Sequence, residues 1–243
     1  MLLNPIVFWV GDEVTLTLKS KMGKQIETMN TIHLHRIGRL AGFGLLWGTI
    51  VIAAACSLSD SPRLSKLPAD GVILAFGDSL TYGTGAGGSQ YSYPSILEER
   101  VNRQVINAGV PGELSHQGLA RLPEVLDQYQ PHLVVLCHGG NDLLRKQDDA
   151  QIAANLRGMI ELIQDRGIEV ILLAVPRPAV FFMDAADFYA GIAREYQIPI
   201  DSETLLRLEK DPALKSDQIH LNQEGYRQLA DAVVHLLNTS NAI

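Results

Sequence analysis

The chain has 243 residues, of which 47% are hydrophobic and 19% charged, and its net charge is −7. This is ordinary composition for a globular protein, with enough length for one domain with a full core and additional sequence at one end. The acidic balance and the lack of a basic stripe argue against nucleic acid as a partner, because binding phosphate needs clustered Lys and Arg.

The first predicted element is an export sequence. Residues 40–55 are uncharged and mostly apolar, Arg36 and Arg39 precede them, and three alanines end the run directly before Cys56. A basic region, a short apolar region and a small-residue exit are typical of a secretory signal. The run is shorter than the roughly 20 residues that a membrane-spanning helix needs. We therefore expect export across the inner membrane into the periplasm.

Cys56 gives this region two possible interpretations. A cysteine after small residues resembles a bacterial lipoprotein signal, in which the thiol is lipidated and the cysteine becomes the new N-terminus. Ala53 stands where such signals usually have a bulky aliphatic residue, so a plain secretory signal remains the alternative. We expect a membrane-anchored lipoprotein with Cys56 as the lipidated residue.

The domain organisation follows from this signal. Because signal peptides begin at the basic region, we expect translation to start at Met29 or Met22 rather than at Met1. The two prolines and polar residues after Cys56 favour a tether. The predicted sections are an N-terminal extension (1–28), a signal peptide (29–56), a tether (57–70) and a catalytic domain (71–238).

Within the domain, strand-like and helix-like patterns alternate. Apolar runs rich in β-branched residues predict strands over 72–76, 105–107, 133–137 and 169–175, with a weaker one over 198–201. Apolar residues at helical spacing follow between them, and a closing helix is expected from Asn222, a suitable N-cap. The alternation predicts an α/β fold with a parallel sheet covered on both faces, whose ligand site lies beyond the C-terminal ends of the strands.

The strand exits carry residues suited to nucleophilic catalysis. The first strand runs into Gly77-Asp78-Ser79, so Ser79 is a candidate nucleophile, but a serine hydroxyl is weak without a base. His220 is the best candidate base, and Asp217, three residues earlier, is suited to hold its imidazole in one tautomer.

The other exits offer donors for an oxyanion. The second strand leads into "NAGVPG", which contains Gly112, and the third leads into "GGND", which contains Asn141. Backbone N–H groups at Ser79 and Gly112, together with the Asn141 amide, form a candidate oxyanion hole. Gly109, in the same segment as Gly112, is the competing assignment.

These blocks resemble the SGNH (GDSL-type) hydrolase superfamily. "FGDSL", "NAGVPG", "GGND" and "DQIH" appear in family order across residues 72–237, and residues 116–131 are most similar to the arylesterase and multifunctional thioesterase I group. The resemblance implies a three-layer α/β/α flavodoxin-like fold with about five strands, and no metal or cofactor. We expect a monomer. It also implies Ser79 as nucleophile, His220 as base, Asp217 as its partner, and Gly112 and Asn141 as oxyanion donors.

The implied reaction is hydrolysis of carboxylic esters, from small-molecule or lipid substrates such as aryl, acyl or lysophospholipid esters, and possibly of thioesters. One alternative is a carbohydrate or cell-wall O-deacetylase on the same fold, and another is a non-catalytic lipoprotein binding module. Leu143 and Leu144 after the third strand, and Phe181 and Phe182 after the fourth, are candidate substrate-binding residues.

Two other motifs in the domain allow competing interpretations. The G-x-G-x-x-G pattern over 83–88 matches a dinucleotide fingerprint, but it begins too far past the strand and no acidic residue ends the second strand. We therefore expect a glycine-rich loop beside the site. His138 is close to the Asn141 block but has no Asp at a suitable spacing, so we interpret it as structural.

Overall fold

The computed structural model describes residues 4–10, 13–22, 25–34, 62–177 and 184–243. It divides into two units, residues 1–58 and residues 59–243, which are described separately.

The first unit contains three strands that form an antiparallel sheet in the order β1-β2-β3. They are β1 (Asn4–Val10), β2 (Glu13–Met22) and β3 (Gln25–Leu34). They occupy residues predicted to belong to the extension and to the start of the signal peptide, and that assignment stays a prediction. The apolar run 40–55 and Cys56 lie outside the described residues, and within those residues no helix has the length and apolarity to span a bilayer.

The second unit is built on a five-stranded sheet in which all neighbouring strands run parallel. Its strands are β4 (Ile73–Gly77), β5 (Val105–Gly109), β6 (Leu133–Cys137), β7 (Glu169–Leu173) and β10 (Ile200–Asp201). They lie side by side in the order β5-β4-β6-β7-β10. If the five strands are numbered along the chain, this is the order 2-1-3-4-5 of flavodoxin-like folds.

Helices cover the sheet and bury its central strands. Every residue of β4 and β6 is buried, as expected for parallel strands with helices on both faces. The helices are α1 (Ser79–Tyr82), α2 (Tyr93–Val101), α3 (Ser115–Tyr129), α4 (Gly140–Leu144), α5 (Asp149–Gln164), α6 (Asp187–Tyr196), α7 (Thr204–Lys210) and α8 (Gln223–Thr239).

The helices lie on both faces of the sheet. Right-handed crossovers put α2 on one face and the helices of the later crossovers on the other, because the chain reverses direction along the sheet after β5. The packing of α2 on α8, and of α3 and α6 on α5, agrees with this arrangement.

The fold class predicted from the sequence is confirmed. Each of the five predicted strands is present, and α8 begins where predicted, with the Asn222 side chain accepting a hydrogen bond from the N–H of Gly225 at 3.0 Å. The short antiparallel pair β8 (Pro176–Arg177) and β9 (Asp184–Ala185) was not predicted, nor were α6 and α7.

The segment before β4 packs on the domain. The N–H groups of Leu64 and Leu67 donate to the carbonyls of Ser240 and Ala242, at 2.7 and 2.8 Å, and both leucines are buried. The part of the predicted tether from residue 62 onward is therefore joined to the C-terminal end of the chain.

Candidate active site

Polar side chains converge where β4 and β6 leave the sheet. Strand β4 lies between β5 and β6. The connections that follow β4 and β6 cross opposite faces of the sheet, so a crevice opens between the C-terminal ends of these two strands. A Cβ atom on Gly77 would lie 2.0 Å from the Cys137 carbonyl oxygen, so only glycine permits this close approach of the two strands. Ser79 begins α1 at one side of the crevice, and Asn141 lies in α4 at the other.

The structure brings Ser79, His220 and Asp217 together in a chain of hydrogen bonds. The Ser79 Oγ lies 3.0 Å from His220 Nε2, and His220 Nδ1 lies 2.7 Å from Asp217 Oδ2. Because an ionised carboxylate only accepts, the Nδ1 proton donates to Asp217 and Nε2 is left to accept the serine hydroxyl proton. This is the tautomer that a general base for Ser79 needs.

A tight turn fixes Asp217 relative to His220. The Asp217 Oδ1 accepts hydrogen bonds from the backbone N–H groups of Ile219 and His220, both at 2.8 Å. Burial opposes ionisation of this carboxyl, but the bond from His220 and the two backbone donors outweigh it and lower its pKa to about 2. The Asp217 side chain is 52% exposed and the His220 side chain 15%.

The Asn141 amide is held from two directions. Its Nδ2 donates to Asp78 Oδ2 and to the backbone carbonyl of Glu113, both at 3.1 Å. Asp78 also caps α1 by accepting from the N–H of Leu80 at 3.1 Å. Burial, together with the charge of Asp142, raises the pKa of Asp78, although His138, the Leu80 N–H and His220 act in the opposite direction.

The backbone geometry distinguishes the two candidate oxyanion glycines. The Gly109 N–H already donates to Asn107 Oδ1 at 3.0 Å. Gly112 has a φ of +80°, with open space around its α-carbon, and its N–H has no hydrogen-bond partner among the described residues. Gly112 is therefore better suited than Gly109 to offer a free N–H.

A buried ion-pair cluster supports the segment that carries Gly112. Arg121 donates twice to the Glu113 carboxylate, at 2.7 Å each, and its guanidinium lies 4.3 Å from the centre of the Phe76 ring. His138 Nε2 lies 3.1 Å from Glu113 Oε2, while His138 Nδ1 accepts from the N–H of Gly139. Burial of Glu113 opposes its ionisation, but Arg121 and His138 lower its pKa to about 2. His138 is thus occupied by Glu113 and Gly139 rather than by Ser79.

A second buried cluster joins the start of α3 to α4. Asp142 accepts from the Ser115 N–H at 2.8 Å and from the Ser115 hydroxyl at 2.7 Å, and Asn155 donates to the same hydroxyl. Because Asp142 follows Asn141 and Ser115 comes three residues after Gly112, this cluster fixes the two oxyanion segments relative to each other.

The pocket beside Ser79 contains about 350 Å³ of empty space, part of it open to solvent. Of the predicted substrate-binding residues, Leu144 lines it and is 41% exposed, whereas Leu143 is buried in the core and does not line it. Phe181 and Phe182 lie outside the described residues. The lining residues are Asp78, Ser79, Leu80, Gly140, Asn141, Leu144, Val175, Pro176, Glu209, Ile219 and His220.

The sequence patterns do not predict the residues that support the Asn141 side of the site. These residues are Asp78, within the "FGDSL" block, and Glu113, Arg121 and Asp142. Their contacts join positions 8 to 63 residues apart, so no local spacing indicates them. The available sequence signal is an acidic residue in or directly after each of the three blocks. The glycine-rich loop 83–88 begins at the C-cap of α1 and, as expected, does not open α2 directly. Gly88 is the N-cap of a one-turn 3-10 helix (Ser89–Tyr91) that precedes α2.

Comparison with known proteins identifies relatives of this chain. A model of the GDSL-like Lipase/Acylhydrolase family matches residues 75–228. The chain is 31% identical over 166 residues to the thioesterase 1/protease 1/lysophospholipase L1 of Escherichia coli strain K12, which covers 65% of this chain and 79% of that relative. It is also 31% identical over 175 residues to an arylesterase of Vibrio mimicus, covering 68% and 87%.

Solved structures of esterases are also similar to this chain. The structure of AlinE4, an SGNH-hydrolase family esterase, superposes with a TM-score of 0.56 at 31% identity and covers 74% of this chain and 100% of its own. A structure of TesA superposes with a TM-score of 0.64 at 26% identity, covering 70% and 99%.

Proposed function

The chain belongs to the GDSL-like lipase/acylhydrolase family and is a carboxylic ester hydrolase, and on that premise we propose that it works through an acyl intermediate on Ser79. The observation that carries this proposal is the 3.0 Å contact between Ser79 Oγ and His220 Nε2, two residues 141 positions apart in the chain. The O-deacetylase alternative is not favoured, because the relatives described above are named esterases and thioesterases.

The first half of the reaction forms the acyl-enzyme. His220 Nε2 accepts the Ser79 hydroxyl proton while Oγ attacks the carbonyl carbon of the ester, and Asp217 stabilises the resulting imidazolium. The carbonyl oxygen becomes an oxyanion. As the tetrahedral intermediate collapses, His220 returns its proton to the departing alcohol, and the acyl group remains on Ser79.

The second half hydrolyses that acyl group. A water molecule takes the place of the alcohol, His220 removes one of its protons, and the hydroxide attacks the acyl carbon. Ser79 then leaves with the proton from His220, and the carboxylic acid is released. Neither half needs a metal or a cofactor for its proton or electron balance.

The oxyanion is stabilised by the N–H groups of Ser79 and Gly112 and by the Asn141 amide. Both Nδ2 hydrogens of Asn141 are engaged in the structure, with Asp78 and with the Glu113 carbonyl. Donation to the oxyanion therefore requires Asn141 to share or exchange one of these bonds. The bond to Asp78 keeps the amide nitrogen, rather than its oxygen, at this position.

The proposed substrates are esters of aryl or alkyl alcohols and lysophospholipids, with thioesters as a further class. This range is supported by the names of the relatives and by the apolar side chains Leu144, Val175, Pro176 and Ile219 around the pocket.

Hydrolysis of p-nitrophenyl esters from acetate to palmitate tests this function. We expect hydrolysis by the wild-type protein and none above background by Ser79→Ala. Ser89→Ala, which alters an exposed serine outside the pocket, serves as the matched control and should keep full activity. Hydrolysis that survives Ser79→Ala in the folded protein contradicts the proposal.

We also propose export and lipidation at Cys56, supported by the basic and apolar residues that precede it. Expression of the wild-type chain and of Cys56→Ser, followed by membrane fractionation and mass measurement of the mature N-terminus, tests this. An acylated N-terminal cysteine in the wild type alone supports it. A mature protein that begins elsewhere contradicts it.

A further inference from the structure

Glu209 is a buried acidic residue in the catalytic pocket that the proposed reaction does not use. It lies near the C-terminal end of α7, is only 6% exposed, and lines the pocket together with Ser79, Asn141 and His220.

The carboxyl group of Glu209 has no hydrogen-bond or ion-pair partner among the described residues. Among the described residues, every fully buried side-chain nitrogen or oxygen atom has a hydrogen-bond partner. The Glu209 oxygens must therefore keep some accessible surface, and Glu209 lines the pocket beside Ser79. A carboxyl with accessible oxygens and no protein partner can bond a polar group that enters the pocket.

Burial favours the protonated form of Glu209. It raises the pKa of Glu209 to about 8, while Lys215 opposes this rise and Asp78 adds to it. Lys215 forms no ion pair with Glu209 among the described residues, and its Nζ donates to the carbonyl of Gln218 at 2.9 Å. The titratable and charged groups that face Glu209 are Asp78 after β4, Cys137 at the end of β6, Lys215 before the His220 loop, and Tyr226 on α8.

Besides the polar groups of Asp78, Ser79, Asn141 and His220, the pocket wall has apolar side chains from Leu80, Leu144, Val175, Pro176 and Ile219. An unsubstituted alkyl chain in this pocket contacts the apolar side chains but covers the Glu209 carboxyl and leaves it without a hydrogen-bond partner. An acyl chain that carries a hydroxyl makes the apolar contacts and also bonds Glu209, because a protonated carboxyl both donates and accepts. A site built to bond a substrate hydroxyl discriminates against the analogue that lacks it.

We propose that Glu209 is a specificity-determining residue that bonds a hydroxyl group on the acyl chain, so that the enzyme prefers hydroxyacyl esters to alkyl esters of equal length. This rests on the proposed acyl-Ser79 chemistry, because that intermediate holds the acyl chain in the pocket that Glu209 lines.

The test compares kcat/KM for p-nitrophenyl hexanoate with kcat/KM for its 3-hydroxy and 6-hydroxy derivatives, at neutral pH. The full-length wild type, Glu209→Leu and Glu209→Gln are measured. Glu203→Leu, at the exposed start of the same helix, is the matched control. We expect the wild type to favour at least one hydroxy ester, and Glu209→Leu to lower that preference about tenfold, the effect of one ordinary hydrogen bond. Glu209→Gln should retain most of it, because an amide also bonds a hydroxyl.

The pH dependence provides a second readout that is independent of His220. As pH rises from about 7 to about 9, Glu209 loses its proton, and the charge disfavours a bare alkyl chain more than one that can donate a hydroxyl hydrogen. The hydroxyacyl-to-alkyl ratio of the wild type should therefore increase with pH, while that of Glu209→Gln stays flat. Enzyme groups that act equally on both substrates, such as His220, change both kcat/KM values by the same factor, so their titration cancels in the ratio.

Failure of this inference differs from failure of the proposed function. If the wild type hydrolyses the esters but favours neither hydroxy derivative, or if Glu209→Leu keeps the preference, the specificity role is wrong and the serine mechanism stands. If the folded wild type hydrolyses none of the esters, the proposed function fails and the specificity role fails with it.

Discussion

The Asp217–His220 pair comes from one short loop, whereas the Asn141 amide is held by contacts from separate strand ends. Asp217 is half exposed, and His220 follows it three positions later in the same turn. Asn141 lies among buried groups from β4, from the segment after β5 and from the start of α3. The site thus has an exposed, locally built half and a buried half built from distant residues.

The difference indicates how each half responds to change. In the exposed half, water can solvate a charge that has lost its partner, so substitutions should alter the chemistry and leave the fold intact. In the buried half, removing one partner leaves another group unpaired in a region with little water. Substitutions there should alter stability as well as catalysis.

The largest expected effect is at His220. His220→Ala should lower kcat by about 10⁴-fold or more, because among the described residues no other side chain hydrogen-bonds the Ser79 hydroxyl. Steady-state hydrolysis of a p-nitrophenyl ester measures this, with exposed His235→Ala as the control. Thermal unfolding should be nearly unchanged. A loss below about tenfold means that His220 is not the base.

Asn141 tests the buried half. Asn141→Ala should lower kcat by about 10²–10³-fold with little change in KM, because it removes one donor to the oxyanion. It should also lower Tm, since Asp78 loses a buried partner. Asn238→Ala, an exposed change on α8, should affect neither quantity. A lowered Tm with kcat unchanged means that Asn141 is structural and does not stabilise the oxyanion.

Asp217 offers a comparison within the exposed half. Asp217→Asn should lower kcat by about 10²-fold, less than for a fully buried triad aspartate, because water also solvates the imidazolium. The wild-type Asp217, with its pKa of about 2, is ionised throughout the range from about pH 5 to about pH 8. Because the carboxylate is present throughout that range, the wild-type kcat should exceed that of Asp217→Asn at every pH within it. A wild-type kcat that falls to the level of Asp217→Asn at any pH in this range contradicts the role of an ionised Asp217. The stability that ionised Asp217 contributes is present above about pH 4 and is lost as pH falls toward about 2.

Glu113 is expected to affect stability most and catalysis least. Glu113→Ala leaves Arg121 and His138 without their partner and should lower the free energy of unfolding by about 3 kcal/mol. This corresponds to a fall in Tm of about 6–12 °C. Glu224→Ala, which removes an exposed ion pair with Arg227, should change Tm little. If both variants lose the same small amount, the buried cluster does not stabilise the fold.

The sequence was sufficient for the sheet and for the pairing of Asp217 with His220. Apolar runs predicted β4, β6 and β7 because these strands are almost fully buried, and β5 was predicted from its β-branched residues although most of it is not buried. The spacing of Asp217 and His220 is a local property. Helices α6 and α7 were missed, as was the Asp142–Ser115 bond, which joins residues 27 positions apart and depends on tertiary packing. The family resemblance favours Gly112 over Gly109, and the bond from the Gly109 N–H to Asn107, which supports this choice, is seen only in the structure.

The central claim is that the acyl group is carried by Ser79. Intact-protein mass spectrometry of the enzyme, quenched with acid during the burst phase of p-nitrophenyl ester hydrolysis, tests it most directly, followed by peptide mapping of the adduct. The account predicts a mass increase equal to one acyl group, located on the peptide that contains Ser79 and absent from Ser79→Ala. An acyl group found on another residue of an active enzyme contradicts it.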